Sequence, residues 1–326
     1  MQNVPRKRAG VLIAIAMLVL CRTSRAALDP KPVPRLQVVP LPYDQASFQR
    51  EGVELTRYHF APTLNRPFLY PVNGPSGWSL TRMGHPRDPQ SHSHHNSVWI
   101  SHNDVSSVDF WSDSGEGRIQ HRRIVKYEDA GACSAIVTEN EWTTKEGKVL
   151  LDEKRQVTVL LLEQAEWMMV IDMELKARDA AVTLGKTPFG VIGVRMAKTI
   201  GVNDGGGMIR NSEGGVNEKE VFWKRAKWVD YSGAIKDQKC IEGITLFDHP
   251  QNPNHPAYFH VRNDGWMGAS LTFEVPMTLD PAKPLRLRYG LYVHGGLKPA
   301  EDVEAAWKRF TELESLADIE SERGSK

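Results

Sequence analysis

The sequence has almost no surplus charge: 41 Lys and Arg stand against 40 Asp and Glu, a formal net charge of +1. A protein that displaces counterions from phosphates through a basic face carries a basic surplus, so that mode of nucleic-acid binding is excluded. Cysteine is scarce, at three residues, and no Cys-x-x-Cys pair occurs. Gly-x-Ser-x-Gly is also missing, and Gly205-Gly206-Gly207 lacks the Lys-Ser/Thr of a phosphate loop, so nucleophilic-serine and dinucleotide chemistry drop out. No repeat recurs along the chain, and after residue 26 no run is apolar enough to span a bilayer, which takes about 20 residues. With 40% hydrophobic and 25% charged residues over 326 positions, disorder, collagen and coiled coil are excluded as well.

What is present begins with an export pattern. Arg6, Lys7 and Arg8 precede the apolar run Val11 to Cys21, and Ser24-Arg25-Ala26 supplies small residues where a signal peptidase reads. Residues 1–26 are therefore expected to be a secretory signal, with a periplasmic or extracellular product and no membrane partner once it is removed. Leu20 before Cys21 argues against lipidation. The remainder carries 36 basic and 40 acidic residues. Cys133 and Cys240 remain, and a bridge or two free buried thiols fit equally.

From Leu36 to His294 the dominant pattern has period two. Trp167, Met169, Ile171, Met173 and Leu175 share one face of a strand, and Met168, Val170, Asp172 and Glu174 the other. Similar runs recur at 53–60, 97–103, 133–142, 156–163, 190–198, 244–248, 257–263, 269–275 and 285–294. Turn signals separate them, including Asn203-Asp-Gly-Gly-Gly and Asn263-Asp-Gly. This predicts an all-β fold, a large antiparallel β-sandwich, spanning residues 27–320 as one domain. Pro299, Glu301 and Asp302 open a C-terminal α-helix over 299–318, whose stripe of Val303, Ala306, Trp307, Phe310, Leu313 and Leu316 packs on a sheet. Residues 321–326 read as a polar tail.

Four segments carry chemistry. His85, His92, His94, His95 and His102 crowd into 18 of the 326 positions of a chain with 11 histidines. Imidazoles at i and i+2 of an extended segment point the same way and suit a shared metal ion or proton transfer. Three prolines fix the loop bearing Asp248, His249, Asn252, Asn254 and His255, after which Tyr258, His260 and Arg262 alternate along one strand face. Arg195 lies in an otherwise uncharged run and needs an acceptor, either Asp172 or Glu174 or a substrate group. Trp228-Val-Asp230-Tyr231-Ser-Gly sets an acid and a phenol beside an indole, a grouping suited to a sugar.

Pro71-Val-Asn-Gly-Pro, the His92-Ser-His-His-Asn segment followed by Asp109-Phe-Trp, Trp228-Val-Asp-Tyr-Ser-Gly and Phe247-Asp-His-Pro-Gln-Asn-Pro-Asn-His-Pro together resemble a bacterial family of unknown function labelled methane oxygenase PmoA. The resemblance covers roughly residues 68–296. It carries membership and not methane chemistry, because a membrane methane monooxygenase subunit is built of spanning helices and this sequence has none after residue 26. It favours carbohydrate work, since such proteins are often met beside sugar-processing genes. By fold analogy the sandwich is expected to be similar to the galactose-mutarotase supersandwich.

The sequence thus predicts a carbohydrate-active protein, of mutarotase, epimerase, lyase or hydrolase type, whose partner is a carbohydrate or other polar small molecule. His95 and His260 would move protons with Asp230 as carboxylate partner, while Arg195, His255, His249, Asp248, Trp228, Tyr231 and Asn254 contact substrate. Two other readings are a metal-dependent enzyme holding a divalent metal on His92, His94 and His95, and a non-catalytic carbohydrate-binding protein. A single site requires His95, Arg195, Asp230 and His255 to line one pocket, with Trp228 or Tyr231 on its wall.

Overall fold

The alternation at 167–175 is realised as one strand whose inner residues, Trp167 to Leu175, sit in the largest buried apolar cluster. The computed structural model describes residues 32–85, 87–235 and 240–314, so the signal read at 1–26, Leu316 and the tail at 321–326 lie outside the described residues. From Pro34 the chain forms one compact unit of antiparallel sheets.

A nine-stranded sheet runs β1 (Leu36–Leu41), β2 (Gln45–Arg50), β3 (Val53–His59), β4 (Phe68–Val72), β5 (Val98–His102), β11 (Gly190–Arg195), β17 (Trp266–Ser270), β16 (Tyr258–Arg262) and β13 (Lys224–Arg225). An eight-stranded sheet runs β12 (Met208–Asn211), β14 (Trp228–Ala234), β15 (Ile241–Asp248), β19 (Leu285–Gly295), β9 (Trp167–Ala177), β8 (Val149–Leu161), β7 (Cys133–Thr144) and β6 (Gly117–Ala130). β10 (Val182–Leu184) and β18 (Met277–Leu279) form a small separate pair. Residues of both large sheets, such as Val98, Ile192, Phe259, Ile171, Ile244 and Leu291, share one core, which makes the fold the antiparallel sandwich expected.

Each sheet also has a built outer face. On the eight-stranded sheet, Met168, Val170, Trp228, Phe247 and Tyr292 are covered by Val303 and Phe310 of the C-terminal helix. On the nine-stranded sheet, Phe68, Trp99, Trp111 and Trp266 form a separate aromatic cluster. Two short α-helical pieces, α1 (Val202–Gly205) and α2 (Asn217–Val221), lie between strands, and α3 (Ala300–Glu312) follows the last strand. No helix among the described residues is long and apolar enough to cross a membrane.

Several boundaries differ from the sequence reading. The strand expected at 269–275 is Trp266–Ser270, because Asn263-Asp-Gly makes a hairpin turn tight enough for pairing to resume at Trp266. Asn203-Asp204-Gly205 forms the single helical turn of α1, closed by left-handed Gly206. α3 begins at Ala300 after Pro299 and ends at Glu312, shorter than the 299–318 expected. Cys133 and Cys240 are both free thiols.

Phe310 is wholly buried between α3 and the eight-stranded sheet. Phe310→Ala is expected to cost about 3–5 kcal/mol, the range for emptying a buried aromatic site. Denaturant unfolding measures it, and an unchanged midpoint would show that α3 is not integral to the fold.

Candidate active site on the nine-stranded sheet

Strand register decides which side chains meet. Trp99, Gly193, Gly268 and His260 stand side by side across β5, β11, β17 and β16, on the face turned away from the core. The two glycines leave that stretch of sheet bare. A Cβ on Gly193 would lie 2.7 Å from the Trp266 ring and 2.8 Å from that of Trp99, and one on Gly268 would lie 2.8 Å from Trp266. Both indoles therefore lie down on backbone, a close approach that any larger residue would prevent.

The imidazole of His95 stacks on both, with centroids 5.2 Å from Trp99 and 4.9 Å from Trp266. His92 stacks on His95 in turn, at 4.5 Å and 17° between planes, while His94 meets His95 edge-on at 83°. The extended His-x-His segment read from the sequence is instead a 3₁₀ turn over Pro89–His94, begun by Pro89 and closed by the His95 amide donating to the His92 carbonyl. Three residues per turn eclipse i and i+3, which is why His92 and His95 superpose. Parallel rings aim their lone pairs along parallel planes, an arrangement unlike a shared metal shell. Among the described residues no three His, Cys, Asp or Glu side chains are grouped to hold a metal ion. His102 faces the opposite way, its Nε2 2.9 Å from the Thr272 hydroxyl.

Buried Arg66 joins the two loops over the sheet, donating to the carbonyls of His94 (3.0 Å) and Trp111 (2.7 Å) and to Asn96 Oδ1 (2.9 Å). Asp109 shapes the Trp111 loop by accepting from the amides of Trp111 and Ser112. The result is a cleft of about 530 Å³ lined by His92, His94, His95, Asn103, Trp111, Ser112, Phe189, Asn203, Glu218, His260, Arg262, Asp264 and Trp266. Its floor consists of the nearly buried indoles of Trp111 and Trp266, and its rim is polar.

Electrostatically the cleft is paired and neutral at its base. Arg195 holds Asp264 through two bonds of 2.9 and 3.3 Å, so the acceptor expected at Asp172 or Glu174 is Asp264, brought in by the β16–β17 turn. Asp172 and Glu174 pair with Arg288 and Arg286 instead. Burial alone would raise the Asp264 carboxyl, but the Arg195 bonds and charge outweigh it and hold the group below its ordinary range. Arg262 pairs with Glu218 at 2.9 Å. Burial, reinforced by nearby cations, keeps His95 neutral and lowers His92, and it brings His260 down to about 4.

The other sequence candidates lie elsewhere. Asp230 points to the outer face of the eight-stranded sheet, fully buried, bonded to His294 (2.9 Å), Arg210 (2.8 Å), Ser232 and Thr245. Burial works against its charge, and His294 and Arg210 prevail, holding it at about 2. Asp248 takes His255 at 2.7 Å, the Ala257 amide and Asn252, and His255 lies parallel to Trp307 of α3. His249 meets Phe310 edge-on, Trp228 donates to Glu304 of α3, and Asn254 donates to the Leu271 carbonyl. Tyr231 is in the core, where its hydroxyl accepts from the Val202 amide and donates to the Arg262 carbonyl. The expected single pocket is thus corrected: His95 and His260 line one cleft, Arg195 is buried behind it holding the lining residue Asp264, and Asp230 and His255 belong to the other sheet and its helix. Trp99, Trp111, Trp266, Asp264 and Arg66 were not singled out as site residues in the sequence, Trp111 and Asp264 entering only through Asp109-Phe-Trp and the turn signal Asn263-Asp-Gly.

The fold and this cleft define an antiparallel β-sandwich protein with a concave site of small-molecule size. The chain belongs to a family of unknown function, DUF6807, which matches residues 45–308. No curated protein sequence matches it. It is similar to a solved heparinase III gene product, at 12% identity and TM-score 0.35, over 84% of this chain and 38% of that one. It is also similar to a 4-alpha-glucanotransferase from Thermococcus litoralis, at 10% identity and TM-score 0.30, over 81% and 40% of the two chains. A GalM/aldose epimerase homologue from C. elegans is similar at 8% identity and TM-score 0.33, over 81% and 99%. The chain spans well under half the length of the first two, and at these scores nothing about the cleft follows from the likeness.

The lowered His260 ring makes a pH prediction. Because the unfolded chain, with an ordinary imidazole near 6.5, binds more protons than the folded one, this contribution is complete above about pH 6.5 and is lost as pH falls toward about 4. His260→Gln should shrink the stability difference between about pH 7 and about pH 5, measured by urea unfolding. An undiminished difference would contradict the assigned environment.

Proposed function

We propose that the cleft binds a carbohydrate and transfers a proton on it, in a protein exported by its residues 1–26. One observation carries the reading: a floor of aromatic rings and neutral imidazoles is surrounded by Asn103, Ser112, Asn203, Glu218 and Asp264. A sugar ring combines an apolar face with a rim of hydroxyls, and such a ligand needs apolar contact below and uncharged or paired polar groups at its edge. Among the described residues, both arginines of the site are already held by carboxylates, which leaves no free cation to select an anion.

His260 is the proton carrier in this reading. Neutral at physiological pH and with its ring 5.2 Å from Phe189, it is a weak base, held at about 4, that can take a proton from a bound hydroxyl only to return it to the same ligand. Asp264, ionised and fixed by Arg195, orients the ligand through the oxygen surface it still exposes. His95 stays neutral and serves as a positioned hydrogen-bonding ring. The reading takes nothing from the methane-oxygenase label of the family that the sequence resembles.

Isothermal titration of the full chain with a panel of neutral monosaccharides and oligosaccharides tests it. At least one sugar is expected to bind, Phe189→Ala to weaken that binding several-fold, and His260→Ala to lose any turnover seen by NMR while weakening binding no more than several-fold. Binding unchanged in Phe189→Ala, or no sugar bound at millimolar concentration, would overturn the assignment; binding without turnover in the unaltered protein would leave a binding module.

A further inference from the structure

We propose that the cleft continues outward past His260 onto an aromatic shelf centred on Trp223, and that this shelf is a second subsite, so that the ligand is an oligosaccharide. The proposal rests on the sugar reading of the cleft.

The rings form an unbroken path. Phe189 touches His260 inside the cleft, and His260 lies 5.1 Å from Phe222, which stacks on Trp223 at 4.4 Å and 21°. Trp223 reaches Phe273 at 5.5 Å, and Phe273 reaches Tyr258 at 4.5 Å. The inner end of this path is buried and the outer end open: Trp223 is 45% exposed.

The indole stacks on Phe222, and the backbone that carries it is held in place. Its backbone has φ 54°, a left-handed conformation that a bulky residue adopts only when its surroundings impose it. The Trp223 amide donates to the Phe259 carbonyl at 2.9 Å, tying the segment to β16. One turn earlier, Glu218 and Asn263 exchange bonds of 3.1 and 2.8 Å between amide and side chain, so α2 is anchored to the same turn that carries Asp264. Cleft rim and shelf are thus one rigid piece.

The shelf also has the polar edge that a sugar needs. The Tyr258 hydroxyl donates to Glu274 at 2.7 Å, Arg225 pairs with the same carboxylate at 2.9 Å, and the Arg225 guanidinium lies 4.4 Å over the Tyr258 ring. A flat exposed ring with paired charges beside it repeats, further out, the chemistry of the cleft. Consecutive units of one glycan chain fit two such places in line.

The test is calorimetric titration of the full chain with mono-, di-, tri- and tetrasaccharides of glucose, xylose, mannose and galactose. In the unaltered protein the second sugar unit should raise affinity roughly three- to tenfold, the gain expected of one added aromatic contact. Trp223→Ala should remove that gain and leave monosaccharide affinity unchanged, and Trp223→Phe should restore part of it. A length gain that survives in Trp223→Ala, or no gain while a monosaccharide binds, overturns the subsite and leaves the cleft reading standing. If no sugar of any length binds, the cleft reading and the subsite fall together.

Discussion

Two glycines facing each other in neighbouring strands, Gly193 and Gly268, strip a patch of the nine-stranded sheet to its backbone, and the whole site depends on what lies there. Trp99 and Trp266 occupy it, His95 rests on both, and His92 rests on His95. The consequence is electrostatic. Imidazoles stacked on indoles and cut off from water hold protons poorly, so His92 and His95 are lowered below the ordinary imidazole range in a segment whose sequence suggests a shared metal ion or proton transfer.

The charges that remain are arranged to be satisfied inside the protein. Arg195 with Asp264 and Arg262 with Glu218 close the rim of the cleft. On the opposite sheet Asp230, His294 and Arg210 form a separate buried group, beside Glu166 bonded to Tyr292. These are costly groups to bury and would be strongly destabilising with one partner removed. Asp230 accepts from four side chains and so serves the fold, although Nδ1 of His294 and Nε of Arg210 are buried without a hydrogen-bond partner, as are the Nδ1 atoms of His92, His95 and His260 at the cleft. A larger groove, of about 680 Å³, runs along β6 and β7 among Arg118, Arg122, Glu141 and Arg178. It has the size for a ligand but lacks any aromatic ring or imidazole, so the chemistry favours the smaller cleft.

How much of this could be read beforehand follows from how local each signal is. Alternation along 167–175 and 258–262 requires only neighbouring residues, and both strands fall as expected, with His260 on the face opposite Phe259. The crowding of His92, His94 and His95 marked the site, yet their geometry was misread. Pro89 after Asp88 is the sign of a helical start that could have indicated a 3₁₀ turn in place of an extended run. Asp248 and His255 misled for a different reason: a polar loop fixed by prolines looks preorganised whether its partners are ligands or its own loop, and here they include Asn252 and Ala257. Asp230 misled because an acid beside Trp228 and Tyr231 looks like a sugar site, when its partners are His294 and Arg210 within the same sheet. Trp266, Trp99 and Asp264 acquire meaning only through the pairing of Gly193 with Gly268, residues 75 positions apart in sequence, and that register is not written in either segment alone.

The central claim is that the ligand site is the cleft on the glycine-bared face of the nine-stranded sheet. A crystal structure of the protein soaked with the tightest-binding sugar tests it directly. The account predicts the sugar ring against Phe189, with hydroxyls within hydrogen-bond reach of His260 and Asp264. A sugar seated instead in the groove of Arg118, Arg122 and Arg178, with the cleft empty, would contradict it.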